Sequence, residues 1–138
     1  MIKNRPLFIC IILLSNFAYC QFAITTAGVF IQQGIEKAKV ADYKNAVENF
    51  DNALKLKTDD FIIYQYRAYA KDGMKDYNGA IEDYTKAITL NPSNAELYYN
   101  RALTHYSSGD KAKACIDWKK AIDLGMTDAM FIIQLYCH

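Results

Sequence analysis

The stretch that decides the fold is DYNGAIEDYTKAITLNP, which runs from Asp76 to Pro92. Its small and apolar residues recur three and four positions apart, the spacing that places side chains on one face of an α-helix. Asn91 and Pro92 then supply a turn signal. We therefore expect a helix from about Tyr77 to Leu90 that needs another surface to cover its apolar face.

The pattern of this stretch recurs once before it and once after it, at one constant spacing and without a gap. Such a period indicates a repeat protein, with repeats over residues 27–60, 61–94 and 95–128. Matched positions hold small residues, aromatic residues or leucine in all three repeats. These columns are Gly34, Ala68 and Ala102; Ala46, Ala80 and Ala114; Phe50, Tyr84 and Trp118; Ala53, Ala87 and Ala121; and Leu56, Leu90 and Leu124.

Turn signals divide each repeat into two helices, since Gly73 precedes Asp76 and Gly109 precedes Asp110. We expect helix A over about 28–40, 62–73 and 96–107, and helix B over about 43–56, 77–90 and 111–124. One pair of helices cannot bury its apolar face alone, whereas three stacked pairs can. The sequence therefore predicts an all-α solenoid of three hairpins, with residues 129–138 as a C-terminal capping helix.

These columns resemble the tetratricopeptide (TPR) repeat family over most of the chain, residues 27–128. The second repeat matches best, whereas the third ends in Gly125 and Met126 instead of Asn-Pro. Its segment GDKAKACIDWKKAIDLG is similar to that of short bacterial TPR proteins. The resemblance implies a right-handed α-solenoid with a concave groove that binds a partner protein or peptide. It implies no catalysis and no cofactor.

In that family helix A lines the groove, and the helical period indicates which residues face it. The expected surface is apolar and rich in tyrosine, which suits recognition because tyrosine offers a large contact area and a hydroxyl. The alternative is that individual tyrosines pack between repeats as ordinary core. The candidate groove residues are Ile31, Ile35, Ala38, Gln65, Tyr66, Tyr69, Asp72, Tyr99, Asn100, Leu103 and Tyr106.

One branch of the family binds C-terminal carboxylates through basic and amide side chains on helix A. The matching positions here are Ile31, Ile35, Tyr66, Glu96 and Asn100, and none of them is basic. A free carboxylate would find no cation to pair with. We therefore expect no carboxylate-clamp chaperone tail as the partner.

Two arginines, Arg67 and Arg101, occupy a column where the family usually has leucine. Each arginine is followed at the same spacing by an aspartate, Asp83 or Asp117, on helix B of the same hairpin. We interpret Arg67 with Asp83, and Arg101 with Asp117, as structural pairs that fix the register of the hairpins. The alternative is that they contact a ligand.

The chain begins with features of an export signal. Lys3 and Arg5 precede the apolar run 7–14, and Ala18 and Cys20 form a small-x-small pattern. We expect residues 1–20 to be a signal peptide cleaved before Gln21, followed by a lead-in over 21–26 and a periplasmic or secreted product. A buried N-terminal helix and a lipid anchor at Cys20 are the alternatives.

Two of the four cysteines, Cys115 and Cys137, remain after the signal. They lie at similar distances on either side of the predicted turn near Gly125, so we expect them side by side on antiparallel helices. Exported proteins meet an oxidising compartment, which favours a disulfide. Two buried free thiols are the alternative.

Other function classes find little support. The formal net charge is +1, whereas nucleic-acid binders usually carry a basic excess. The sequence contains no phosphate loop, no metal-ligand spacing and no nucleophile–base pair, so we expect no enzyme, no metal and no small-molecule substrate. An assembly part that associates with itself through its groove or exposed repeat ends remains the alternative function.

Overall fold

The computed structural model describes residues 26–137. The predicted signal segment, residues 1–20, lies outside this range. Seven α-helices and one short 3₁₀ turn, Thr127–Ala129, make up the regular structure of the described range, which contains no strand. The helices are α1 (26–39), α2 (Tyr43–Leu56), α3 (Phe61–Gly73), α4 (Tyr77–Leu90), α5 (Ala95–Ser107), α6 (Lys111–Asp123) and α7 (Met130–Tyr136).

The predicted fold class is confirmed. Helices α1, α3 and α5 correspond to helix A of each repeat, and α2, α4 and α6 correspond to helix B. From α2 onward each helix packs against the next one in the chain, so the hairpins stack in sequence order. The predicted bounds lie close to the observed ones. One difference is that residue 26 is already helical, although the sequence predicts a lead-in there.

Short polar side chains fix where the helices begin. The Asp76 carboxylate accepts a hydrogen bond from the Gly79 backbone N–H at 3.1 Å, and Asp110 accepts one from Lys113 at 3.2 Å. These bonds satisfy backbone donors that have no partner inside the first helical turn. The helix-B elements α4 and α6 are therefore both started by an aspartate, at equivalent positions of successive repeats.

The core follows the columns of small and aromatic residues. Phe50 and Trp118 are fully enclosed, and the alanines that face them are buried. In the first repeat the Phe50 ring lies so close to α1 that a Cβ on Gly34 would stand 2.6 Å from its Cε1 atom. Small residues on helix A therefore allow the aromatic residue of helix B to fill the hairpin.

The C-terminal helix α7 stands where the next helix A would follow. Its residues Ile132 and Ile133 pack against the core cluster around Trp118. Its outer side chains are uncovered, and Phe131 is 66% exposed. The helix thus caps the third hairpin while leaving an apolar surface at the end of the stack.

Candidate functional site

A shallow cavity of about 200 Å³ lies between α1 and α3. Its walls are Ile35, Ala38, Tyr66 and Tyr69, and the stem of Lys39 borders it. The Lys39 ammonium is 2.9 Å from the Glu36 carboxylate, so its charge already has a partner. The cavity is therefore mainly apolar, with tyrosine rings on the α3 side.

The two cavity tyrosines play different parts. Tyr66 stacks on Phe50 with ring centroids 6.0 Å apart and is half-buried, so it is partly core. Tyr69 meets the edge of the Tyr43 ring at 6.2 Å, yet it is 51% exposed. A side chain held in place by one aromatic contact and open on the other side is suited to recognition. Tyr69 is thus the tyrosine that this surface presents.

The other predicted groove residues divide between surface and core. Ile31 packs partly against the first core cluster, and Tyr99 packs partly against the third. Leu103 is exposed at the position on α5 that matches Tyr69 on α3. Asn100 is half-buried beside it.

Tyr106 departs from the prediction that it lines the groove. Its ring lies 5.0 Å from the Tyr136 ring of α7 and 5.8 Å from Trp118. Because α7 occupies the place of the next helix A, it covers the residue that would otherwise border open space. Tyr106 is therefore part of the contact between the third hairpin and the cap.

A polar region lies between α3 and α5, next to the cavity that α1 and α3 form. The Gln65 amide donates a hydrogen bond to the Glu96 carboxylate at 3.0 Å and so connects the two helices. One carboxylate oxygen of Asp72, Oδ1, has no hydrogen-bond partner in the described part of the chain. Burial raises the pKa of Asp72, and the Thr104 hydroxyl beside it acts in the opposite direction.

Tyr84 on α4 is a buried tyrosine whose phenol is influenced by the charges of this region. Its side chain is only 3% exposed. Burial raises the pKa of its phenol, and the charges of Asp72 and Glu96 raise it further. The sequence places Tyr84 in an aromatic core column and gives no signal that the charges of Asp72 and Glu96 act on its phenol.

The Arg67–Asp83 contact that the columns predict is formed. The guanidinium donates to the Asp83 carboxylate at 2.8 and 2.6 Å. It also reaches Asp51 on α2, while the Lys71 ammonium lies 2.8 Å from the same Asp83. Three helices are joined by this network, and Arg67 has its donors engaged within the protein.

Arg101 and Asp117 form the equivalent contact in the third hairpin, at 2.7 and 2.8 Å. The third guanidinium nitrogen donates to the Thr85 hydroxyl at 2.9 Å. His105 lies 4.0 Å from Asp117, and burial lowers the pKa of its imidazole. A cavity of about 150 Å³ lies beside these residues, and the Arg101 and Asp117 side chains in its lining already bond each other.

The cysteine pair closes the C-terminal end. Cys115 on α6 is joined to Cys137 after α7 by a disulfide, with the Cα atoms 5.7 Å apart. This distance lies in the ordinary range for such bonds. The predicted disulfide is therefore present, and it fastens the cap to the last hairpin.

Residues 26–137 contain neither a cluster of metal-binding side chains nor a helix that could span a membrane. His, Cys, Asp and Glu side chains within residues 26–137 form no group of three that could ligate a metal ion. None of the helices in that range combines the length and apolar character that a bilayer crossing requires.

Comparison with sequence families decides the class. A model described as "TPR repeat" matches residues 74–109, and one described as "Tetratricopeptide repeat" matches residues 95–128. Residues 74–128 of the chain are tetratricopeptide repeats. A comparison with curated proteins gives no match.

Solved TPR structures share the fold. The first TPR of Spaghetti (RPAP3), bound to the HSP90 peptide SRMEEVD, has a TM-score of 0.75 at 19% identity, over 81% of this chain and 90% of that one. The Arabidopsis OM64 TPR domain has 0.78 at 22% identity, over 83% and 96%. The TPR2B domain of yeast Sti1, described in a pHsp70 complex, has 0.74 at 26% identity, over 81% and 94%.

Proposed function

We propose that this TPR protein is a non-catalytic interaction module that binds a partner protein or peptide on the surface formed by α1, α3 and α5, hereafter the helix-A groove. The observation that carries the proposal is the apolar cavity between α1 and α3, where Tyr69 is held by Tyr43 but open to solvent. TPR domains are generally protein-interaction modules, and two of the similar structures are described with peptides.

The proposed partner is not an acidic C-terminal tail. The positions that match a carboxylate clamp hold Ile31, Ile35, Tyr66, Glu96 and Asn100. A peptide such as the one bound to the Spaghetti domain would find Glu96 facing its own carboxylates, and like charges at short range repel.

We propose export as the setting of this function. Residues 1–20 have the composition of a cleaved signal, and lipid attachment at Cys20 is the alternative. The Cys115–Cys137 disulfide supports an oxidising compartment such as a periplasm or the cell exterior. Intact-mass measurement on protein from its own host should give residues 21–138 with one disulfide. A mass that includes residues 1–20 would contradict export, and added acyl mass would favour the anchor.

Self-association through the C-terminal end is the second candidate, and the exposed face of α7 favours it. Met130, Phe131 and Leu135 lie uncovered on one short helix. Light scattering after size-exclusion chromatography would detect a dimer that Phe131→Ser converts to monomer. A monomer at all concentrations would exclude this function.

The test of the main proposal is a comparison of partner capture by two variants. Tyr69→Ala removes the open ring from the helix-A groove, whereas Ile116→Ala removes an apolar side chain, 68% exposed, from α6. Proteins captured from a host envelope extract are quantified by mass spectrometry. We expect a partner whose yield falls with Tyr69→Ala and not with Ile116→Ala. Equal capture by both variants would contradict binding in the groove.

A further inference from the structure

The junction between α6 and α7 lacks the polar bridge that the earlier junctions between hairpins have. At the α2–α3 and α4–α5 junctions an arginine of the later helix donates to an oxygen of the earlier one, in the pairs Arg67–Asp51 and Arg101–Thr85. The matched positions at the α6–α7 junction hold Leu135 and Lys119. A leucine side chain has no polar group, so it cannot form this bond. The Cys115–Cys137 disulfide is therefore the specific link that fastens α7 to α6.

Little besides this bond holds the cap in place. Helix α7 has seven residues, none of them is buried, and no side chain caps its first turn. Ile132 and Ile133 contact the core cluster around Trp118, whereas Phe131 is exposed. Because weakly packed segments open locally at low free-energy cost, loss of the bond should free α7 while the hairpins stay folded.

The disulfide is open to attack from solvent. A cavity of about 400 Å³ lies beside it, lined by Lys111, Ala112, Cys115, Tyr136 and Cys137. Both cysteines are only half-buried, and the other three lining residues are exposed. A thiolate can therefore reach the bond without unfolding of the hairpins. The Lys111 ammonium in the same lining favours negative charge on a sulfur.

Helix α7 covers the single tryptophan of the chain. Trp118 is 1% exposed, and the Tyr136 ring lies 6.3 Å from its ring and 5.0 Å from that of Tyr106. Tyr106 lies on α5 one turn after Leu103, an exposed residue of the helix-A groove. Separation of α7 therefore uncovers two aromatic side chains, one of them beside the groove.

We propose that the Cys115–Cys137 disulfide is a redox switch: a dithiol reduces it, α7 separates from the third hairpin, and Tyr106 and Trp118 become exposed. The inference does not depend on the proposed function, because no partner protein enters it. In an oxidising compartment the cap stays closed until the dithiol meets the bond.

The exchange balances in two steps. One thiolate of the dithiol attacks Cys137 Sγ, a mixed disulfide forms, and Cys115 leaves as the thiolate beside Lys111. The second thiolate of the dithiol then attacks the dithiol sulfur of the mixed disulfide and releases Cys137. Two electrons pass to the protein, and the dithiol becomes a disulfide. Each cysteine sulfur takes up one of the two protons that the dithiol loses.

Reduction of the native protein by dithiothreitol tests access to the bond. Protein purified from its own host is treated at several urea concentrations below its unfolding transition, and alkylation with mass spectrometry measures free Cys115 and Cys137. We expect the rate to change less than about twofold per molar urea, because access needs only local opening. Access through global unfolding would raise the rate about fivefold or more per molar, which would overturn the inference.

The fluorescence of Trp118 reports the movement of the cap. We expect reduction to shift its emission to longer wavelength and to increase its quenching by acrylamide, at the rate at which the thiols appear. The helical circular dichroism should fall by no more than the seven residues of α7 contribute. Oxidised dithiothreitol should restore both signals. Unchanged emission after complete reduction, or loss of the whole helical signal, would overturn the inference.

Cys115→Ser combined with Cys137→Ser is the matched control, since it has no bond at the cap and leaves every other cysteine in place. It should show the shifted emission from the start and give no response to dithiothreitol. A response as large as that of the wild type would mean that the reductant acts elsewhere, which would overturn the inference. An unfolded variant would mean that the bond holds the whole fold, with the same consequence. The reversible emission change of the wild type tests the switch without any substitution.

Discussion

At the scale of single residues, Asp72 shows how the burial of a carboxylate opposes stability. Burial raises the pKa of Asp72 above the ordinary value of 3.8, because the charged form loses part of its hydration. The unfolded chain therefore releases the proton first as pH rises. Stability falls as pH rises through the window between the two pKa values, and the full cost remains at neutral pH.

We therefore predict that Asp72→Asn stabilises the free protein at pH 7. The gain should stay below about 1 kcal/mol, since solvent screens a half-exposed carboxylate, and it should vanish below the unfolded pKa. Urea unfolding of both proteins at pH 7 and pH 3 measures this difference. A lower urea midpoint for Asp72→Asn at pH 7 would contradict the role of burial. Glu82→Gln serves as control and should leave the midpoint unchanged.

Arg67 is a charged residue whose ion-pair partners, Asp51 and Asp83, both lie within the protein. Arg67→Met leaves Asp83, which is nearly buried, with Lys71 as its remaining cation. We expect a loss of about 1–3 kcal/mol in unfolding free energy, because the buried Asp83 carboxylate loses both hydrogen bonds from the guanidinium and keeps only the Lys71 ammonium. Adding Asp83→Leu should restore much of it. If the double variant is as unstable as the sum of the two single variants, the pair is not coupled.

At the scale of elements, the turn between helices A and B contains a recurrent left-handed residue. Ala41, Lys75 and Gly109 occupy equivalent positions of the three repeats and have φ angles of 58°, 65° and 91°. Only the third repeat uses glycine, the residue that adopts this conformation without steric cost. The first two repeats therefore carry backbone strain that the third avoids.

Lys75→Gly should relieve this strain and stabilise the protein by roughly 1 kcal/mol. The matched control is Lys86→Gly in the exposed middle of α4, where glycine should destabilise by about the same amount. Thermal unfolding of both variants compares them. Destabilisation by Lys75→Gly as large as that by Lys86→Gly would contradict the account of the turn.

The helices could largely be predicted because the same pattern of small and aromatic residues occurs in all three repeats. Small and aromatic columns indicated which faces meet, and they gave helix bounds close to the observed ones. Tyr106 packs against Trp118 and Tyr136, which is the core alternative that the sequence leaves open for the groove tyrosines. The sequence does not decide between the two because the choice depends on where α7 packs. The sequence does not predict the electrostatic influence of Asp72 and Glu96 on Tyr84. A column of aromatic residues indicates that the ring is buried, but it does not indicate which charged groups surround the hydroxyl.

At the scale of the whole molecule, the C-terminal cap depends on the disulfide. Helix α7 is short, Met130–Tyr136, and has only part of one face in contact with the third hairpin. A helix of that length is not stable alone in water. Cys115 and Cys137 are separated by 22 positions in sequence. The bond between them limits how far α7 can move away from α6 when the chain unfolds.

Cys115→Ser together with Cys137→Ser should lower unfolding free energy by about 3 kcal/mol, the value expected for a loop of this length. Amide exchange should rise first in α7, while α2 and α3 keep their protection. Uniform loss of protection in all helices would contradict a role confined to the cap.

The central claim is that the helix-A groove holds the partner, and site-specific photocrosslinking in the native host tests it most directly. A benzophenone amino acid replaces Tyr69 in the groove, Ile116 on α6 or Phe131 on α7, one site at a time. We predict a crosslinked partner from position 69 and none from position 116. Crosslinks from position 131 to a second copy, with none from position 69, would contradict the claim and favour self-association.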